Sequence, residues 1–257
     1  MKTRIYFLTC LLSICFIYES SAQRFKGSGP IVKQDIRLSN FHSININSSL
    51  DVQLKQGDKQ SVVAEGNANI INRIKKNVSY GIWNIELEKG NYSFENLTIH
   101  ITIPHLEKVK INGSGDVEAG QFNIKALSIQ IGGSGDVMFK EGVEIENDLD
   151  IHINGSGDVT LKDVNAKSIK CNVSGSGDIQ LSGNSQAAEY QISGTGDVKA
   201  MNFKSDNVKV NINGSGDVKV YALRSLDIDV NGSGDVYYRG DANVNSRLKG
   251  SGDIYKQ

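Results

Sequence analysis

Ile151-His152-Ile153-Asn154-Gly155-Ser156-Gly157-Asp158-Val159-Thr160-Leu161 alternates strictly: Ile151, Ile153, Gly155, Gly157, Val159 and Leu161 share one parity, and the polar residues share the other. A period of two is extended chain with one buried face, whereas a helix would repeat its apolar positions near 3.6. At the centre lies Gly-Ser/Thr-Gly-Asp-Val/Ile, which recurs from Gly113, Gly133, Gly155, Gly175, Gly194, Gly214, Gly232 and Gly250. Its aspartates, Asp116, Asp136, Asp158, Asp178, Asp197, Asp217, Asp235 and Asp253, follow one another at 20, 22, 20, 19, 20, 18 and 18 residues. A degraded copy, Asn47-Ser48-Ser49-Leu50-Asp51-Val52, lacks both glycines.

One unit of about 20 residues cannot bury its apolar face alone, but stacked units can. The pattern therefore predicts an all-β chain, a single-stranded right-handed parallel β-helix with coils of about 20 residues. Each coil reads as two strands around a glycine bend, followed by a polar turn such as 140–147. Aligned coils put Ile111, Ile131, Ile153, Val173, Ile192, Ile212, Val230 and Leu248 in one inward ladder. Cys171 falls in the ladder of Val109, Ile129, Ile151, Tyr190, Val210 and Ile228, and so reads as core. At the motif glycines a Cβ would collide, either because backbones approach closely or because φ is positive.

Composition narrows the classes. Lys and Arg total 28 against 29 Asp and Glu, which gives no electrostatic reason to expect nucleic acid as a partner. Of the 27 glycines, 16 belong to the eight motifs, so the glycine excess marks corners of a rigid stack rather than a flexible chain. Residues 1–22 read as an export signal, with Lys2 and Arg4 before an apolar stretch and Ser20-Ser21-Ala22 before Gln23. Neither Cys10 nor Cys15 sits in a lipoprotein box, and no stretch is long enough for a transmembrane helix. The expected location is periplasm, cell surface or medium.

The outward aspartate column is the first candidate site: Asp116, Asp136, Asp158, Asp178, Asp197, Asp217, Asp235 and Asp253. Carboxylates one strand spacing apart, about 4.8 Å, repel by roughly 0.9 kcal/mol in water and about 3.5 kcal/mol at an effective dielectric of 20. Solvation, backbone N–H groups of the glycine bend, or cations such as calcium could offset this. The residues favour the N–H groups, because Asp at a turn readily accepts such bonds. Neither a cofactor nor a resident metal is expected. Calcium, the alternative, needs six to eight oxygens from neighbouring coils.

The flanking Ser and Asn columns could meet sugar hydroxyls, and Tyr237 and Tyr255, with Met138 in the same column two residues after the aspartates, are the only candidates for a platform on which a sugar could stack. A polysaccharide lyase or hydrolase is the enzymatic alternative, and its least uniform patch is Asp227, Asp229 and Asp235 near Arg247 and Lys249. A uniform acidic column argues against catalysis, which needs one distinctive cluster. His42, His100, His105 and His152 show no metal-ligand spacing.

In the first third the glycine motif is absent but alternation persists over 43–54, 61–64, 82–87 and 97–103, with a short helical turn expected within 67–75. Residues 23–40 form a lead segment, 41–108 N-terminal coils and a cap around Trp83, and 109–257 the eight motif coils. Phe41-His42-Ser43-Ile44, Asp51-Val52-Gln53-Leu54, Leu97-Thr98-Ile99-His100-Ile101-Thr102-Ile103-Pro104 and the Gly-Ser-Gly-Asp-Val series resemble the bacterial "putative auto-transporter adhesin, head GIN domain" family, over 41–257. The resemblance implies an exported β-helix that binds rather than catalyses, with a glycan or a cell-surface protein as partner. It supplies no site residues. The last coil, 248–255, has no following strand and predicts a side-chain cap or self-association there.

Overall fold

The computed structural model describes residues 23–257; the segment read as an export signal lies outside the described residues. The chain is a parallel β-solenoid. One face runs through Ile82–Ile85, Ser43–Ile46, Lys108–Ile111 and Leu127–Ile131, continues through the later halves of Val143–Ile153, Val159–Val173, Ile179–Ile192, Val198–Ile212 and Val218–Val230, and ends at Asn243–Leu248. A second face runs from Leu97–Ile103 through Asp51–Gln56, Val117–Ala119 and Val137–Phe139 to Ile254–Lys256.

The coil has a third face where a polar turn was expected. Phe122–Ile124 pairs in register with Val143 and Ile145, and these with Val164 and Ala166. Phe122, Val143, Val164 and Phe203 are all buried, with Gly183 between the last two rungs. Only 140–142 separates strands where 140–147 was read as a turn, because Val143 and Ile145 alternate inward between exposed Glu144 and Glu146. Within Val159–Val173, Val159, Leu161, Val164, Ile169, Cys171 and Val173 are buried. Each large one stabilises by about 1.5–3 kcal/mol. Cys171 lies between Ile151 and Tyr190, as its ladder predicts, and burial raises its thiol pKa well above the ordinary value. Ser185 and Ser205, inward on the third face, satisfy each other at 2.8 Å.

Antiparallel strands close the N-terminal end. Ser61–Asn67 pairs antiparallel with both Leu97–Ile103 and Ile31–Asp35, so part of the lead segment is a strand of the cap. Val78–Ser79 turns back onto Ile82–Ile85 through Tyr80-Gly81, both at positive φ (51° and 72°), the backbone of a tight two-residue hairpin. Trp83 is buried beneath and donates its indole N–H to the Lys75 carbonyl at 3.1 Å. The helical turn is Ala68–Ile71, and no described helix is long and apolar enough to cross a membrane.

Candidate functional site

The corner carrying the aspartates is built by close approach alone. A Cβ on Gly155 would lie 1.9 Å from the Gly133 carbonyl oxygen, and one on Gly157 2.1 Å from that of Gly135. None of the motif glycines is left-handed; positive φ among described glycines occurs at Gly29, Gly81, Gly183 and Gly240. The bend thus needs glycine because the coil beneath is too near for a side chain.

Across this bend the aspartates continue the hydrogen-bond ladder. Ser156 N–H donates to the Gly133 carbonyl at 3.0 Å, and Asp158 N–H donates to Oδ1 of Asp136 at 2.8 Å. Val137 N–H in turn donates to the Asp158 carbonyl at 2.9 Å. The same Asp N–H to Asp Oδ1 bond joins Asp51 to Asp116 and so on to Asp253. Backbone N–H groups do meet the carboxylates, but they come from the next coil rather than from the same turn. The column is an axial strut: each carboxylate supplies the acceptor that the bent backbone does not. Among the described residues no three His, Cys, Asp or Glu side chains converge to hold a metal ion.

Lys199 also neutralises the column. Its Nζ pairs with Oδ2 of Asp178. Burial opposes ionisation of Asp178, but Lys199 and the Asp197 N–H outweigh it and hold that carboxyl below the ordinary range; the bond to Asp178 raises Lys199. Tyr237 and Tyr255 stack on each other, centroids 5.0 Å apart and planes at 19°, and each hydroxyl donates to Oδ2 of the aspartate two residues before it, at 3.2 Å. Lys219 covers the other face of Tyr237, 5.4 Å from its centroid. The rings therefore stack along the coil axis. Met138 lies in the same column, five coils from Tyr237, and does not join the stack.

The patch Asp227, Asp229, Asp235, Arg247 and Lys249 is not one cluster. Asp229 pairs with Arg247 at 3.1 Å, Asp227 accepts from Asn245 at 3.2 Å, and Asp235 is held on the motif corner by Asp253 N–H and Tyr237. Of the histidines, His152 Nδ1 lies 3.1 Å from the Asn172 side-chain amide nitrogen, while His100 binds Glu65 at 2.9 Å and lowers its pKa together with Lys33.

Part of the concave surface lies on the flank of the first face. A cleft of about 540 Å³ has an apolar floor including Leu106, Ile124 and Leu127 and a rim including His42, Glu107 and Asp148. His42 Nδ1 lies 3.0 Å from both Glu107 Oε2 and Ser43 Oγ. Through Asp148 and Asp150 this cleft continues into a depression of about 460 Å³ over Ala187 and Ala188, edged by Lys170, Glu189 and Lys209. Glu189 sits between the two lysines, at 3.6 and 3.8 Å. No sequence signal marks this groove, because residues near 42, 107 and 148 meet only through axial stacking.

The family description "Putative auto-transporter adhesin, head GIN domain" matches residues 40–242. The chain belongs to this family. The match stops just before Asn243–Leu248, although that strand continues the same parallel ladder. Among solved structures, a putative lipid binding protein from Parabacteroides distasonis ATCC 8503 is 25% identical, with a TM-score of 0.85 over 91% of this chain and 100% of that one. A putative adhesin from Parabacteroides merdae ATCC 43184 is 21% identical, with a TM-score of 0.85 over 92% and 100%. One from Bacteroides fragilis NCTC 9343 is 24% identical, with a TM-score of 0.67 over 91% and 100%. The latter two share the fold. No curated protein matches the chain.

Proposed function

We propose that the chain is an exported, non-enzymatic binding module of the adhesin type, which engages a glycan or a cell-surface protein along the groove beside its first face. The observation that carries this reading is the continuity of that groove across several coils, with charged and polar groups lining it and small Ala187 and Ala188 at its floor. An extended ligand lying along the axis meets a new side chain once per strand spacing, in the order Asp150, Lys170, Glu189, Lys209 and Asp227 along one column. The aspartates, by contrast, are spent on the stack itself, which leaves them unsuited to acid–base work.

The test is binding of residues 23–257 to a panel of neutral and anionic glycans and to the outer surface of cells, with lipid vesicles alongside. Reversing Lys170 and Lys209 to Glu should weaken binding at least about tenfold with an unchanged far-UV spectrum. Release of reducing ends from any bound polysaccharide would overturn the non-enzymatic reading, and retention of binding by the reversed groove would overturn the site.

A further inference from the structure

Two ends of the solenoid are finished differently. At the N-terminal end, antiparallel strands and Ala68–Ile71 cover the stack. At the other, Asn243–Leu248 pairs with Val218–Val230 on one side, Ile254–Lys256 pairs with Val236–Arg239 on one side, and nothing among the described residues covers the far side. Val244 and Leu248 continue inward ladders whose preceding rungs, Leu226 and Val230, are wholly buried, yet they are 40% and 46% exposed. Tyr255, the outer ring of the tyrosine stack, is 43% exposed. Asp253 occupies the strut position, and no further N–H among the described residues meets its Oδ1. An edge of this kind is a template for another strand.

We infer that two copies of this chain join tail to tail through this coil, strand 243–248 of one against strand 243–248 of the other. All strands of the solenoid face run parallel, so two copies meeting by the same end are related by a twofold axis across the stack. Their edge strands then pair antiparallel, the more stable ladder. The sequence of the edge is complementary to itself in that arrangement. With Ser246 opposite its own copy, Val244 of each chain faces Leu248 of the other and completes the inward ladder. On the outward parity Asn245 faces Arg247, Asn243 faces Lys249, and Asp241 lies one diagonal step from Lys249 of the second copy, placing opposite charges together at both ends, while the two Arg247 side chains, also one diagonal step apart, are each neutralised by Asp229 of their own chain. The covered N-terminal end closes the assembly at two copies, because head-to-tail addition finds no matching edge.

Sedimentation and light scattering of residues 23–257 should give twice the chain mass at high concentration, and Val244→Lys with Leu248→Lys should return it to the single-chain mass with the same far-UV spectrum. Ser246→Cys should form a disulfide between copies under mild oxidation, visible on a non-reducing gel; Cys171 is buried and does not compete. A single-chain mass at every concentration overturns the proposal. So does a double mass that survives the lysine variant, or the absence of a Ser246→Cys cross-link in a sample that is twice the chain mass. Groove binding lies on the flank, so loss of dimerisation leaves the ligand test above unchanged.

Discussion

Leu50 and Gly157 hold the same place in their coils, as do Ser48 and Gly155, three coils further from the cap. Leu50 is fully buried and keeps a large side chain; Gly157 could not accept even a methyl group, which would sit 2.1 Å from a carbonyl oxygen. The difference is what lies beneath. After Ile85 the chain leaves the stack and returns at Leu97, so no corner passes under Ser48 and Leu50, whereas every later corner rests on the one before. The first copy is therefore a foundation, and its lost glycines reflect its position at the bottom of the stack.

The comparison can be broken by exchanging the residues. Leu50→Gly should destabilise by about 3–5 kcal/mol, from lost burial and an unfilled cavity. Gly157→Ala should cost about 3 kcal/mol or more, because the clash is with backbone that cannot rotate away. Chemical denaturation of both reads the result; a tolerated Gly157→Ala would mean that the coils separate easily. Ser48→Gly, by contrast, should cost about 1 kcal/mol, for added chain freedom and one lost hydrogen bond to Ile85.

The same logic grades the strut. Asp158→Ala removes the acceptor of the Asp178 N–H and should cost about 1–2 kcal/mol, while Asp253→Ala should stay within about 0.5 kcal/mol in the single-chain form. Equal losses at the two positions would show that the carboxylates act through something other than the next coil. Acid sharpens the contrast more gently. Asp178 is depressed in the folded chain, so its contribution is present above the unfolded carboxylate pKa and lost as pH falls through the lower folded value. Melting temperature should fall in that acid window, and Asp178→Asn should flatten the fall. Smallest of all, calcium should not move the melting temperature, since each Oδ1 from Asp51 to Asp235 already accepts an N–H.

Period and parity place the inward ladders correctly down to Cys171, because both are local properties of the chain. The third face was equally readable in Phe122 and Ile124 or Val143 and Ile145, but each is only two inward residues long, and charged neighbours such as Glu144 and Glu146 make it look like a loop. The groove and the strut depend on which residue lies above which. Alternation says that Asp136 and Asp158 share a column; that one binds the N–H of the other is fixed by the axial offset at a bent corner. The antiparallel cap is legible at Tyr80-Gly81, yet the pairing of Ile31–Asp35 with Ser61–Asn67 joins segments about thirty residues apart and leaves no periodic trace.

The strut also decides how the molecule behaves under load. Each coil touches only the coils beside it, and along the corner the carboxylate of one holds the N–H of the next. Tension applied at the C-terminal tail meets these bonds one row at a time, so the solenoid should peel rather than rupture. Each coil of about 20 residues would release roughly 70 Å of chain as it detaches. A solenoid built this way yields in steps under load, while the buried cap at its other end holds until last.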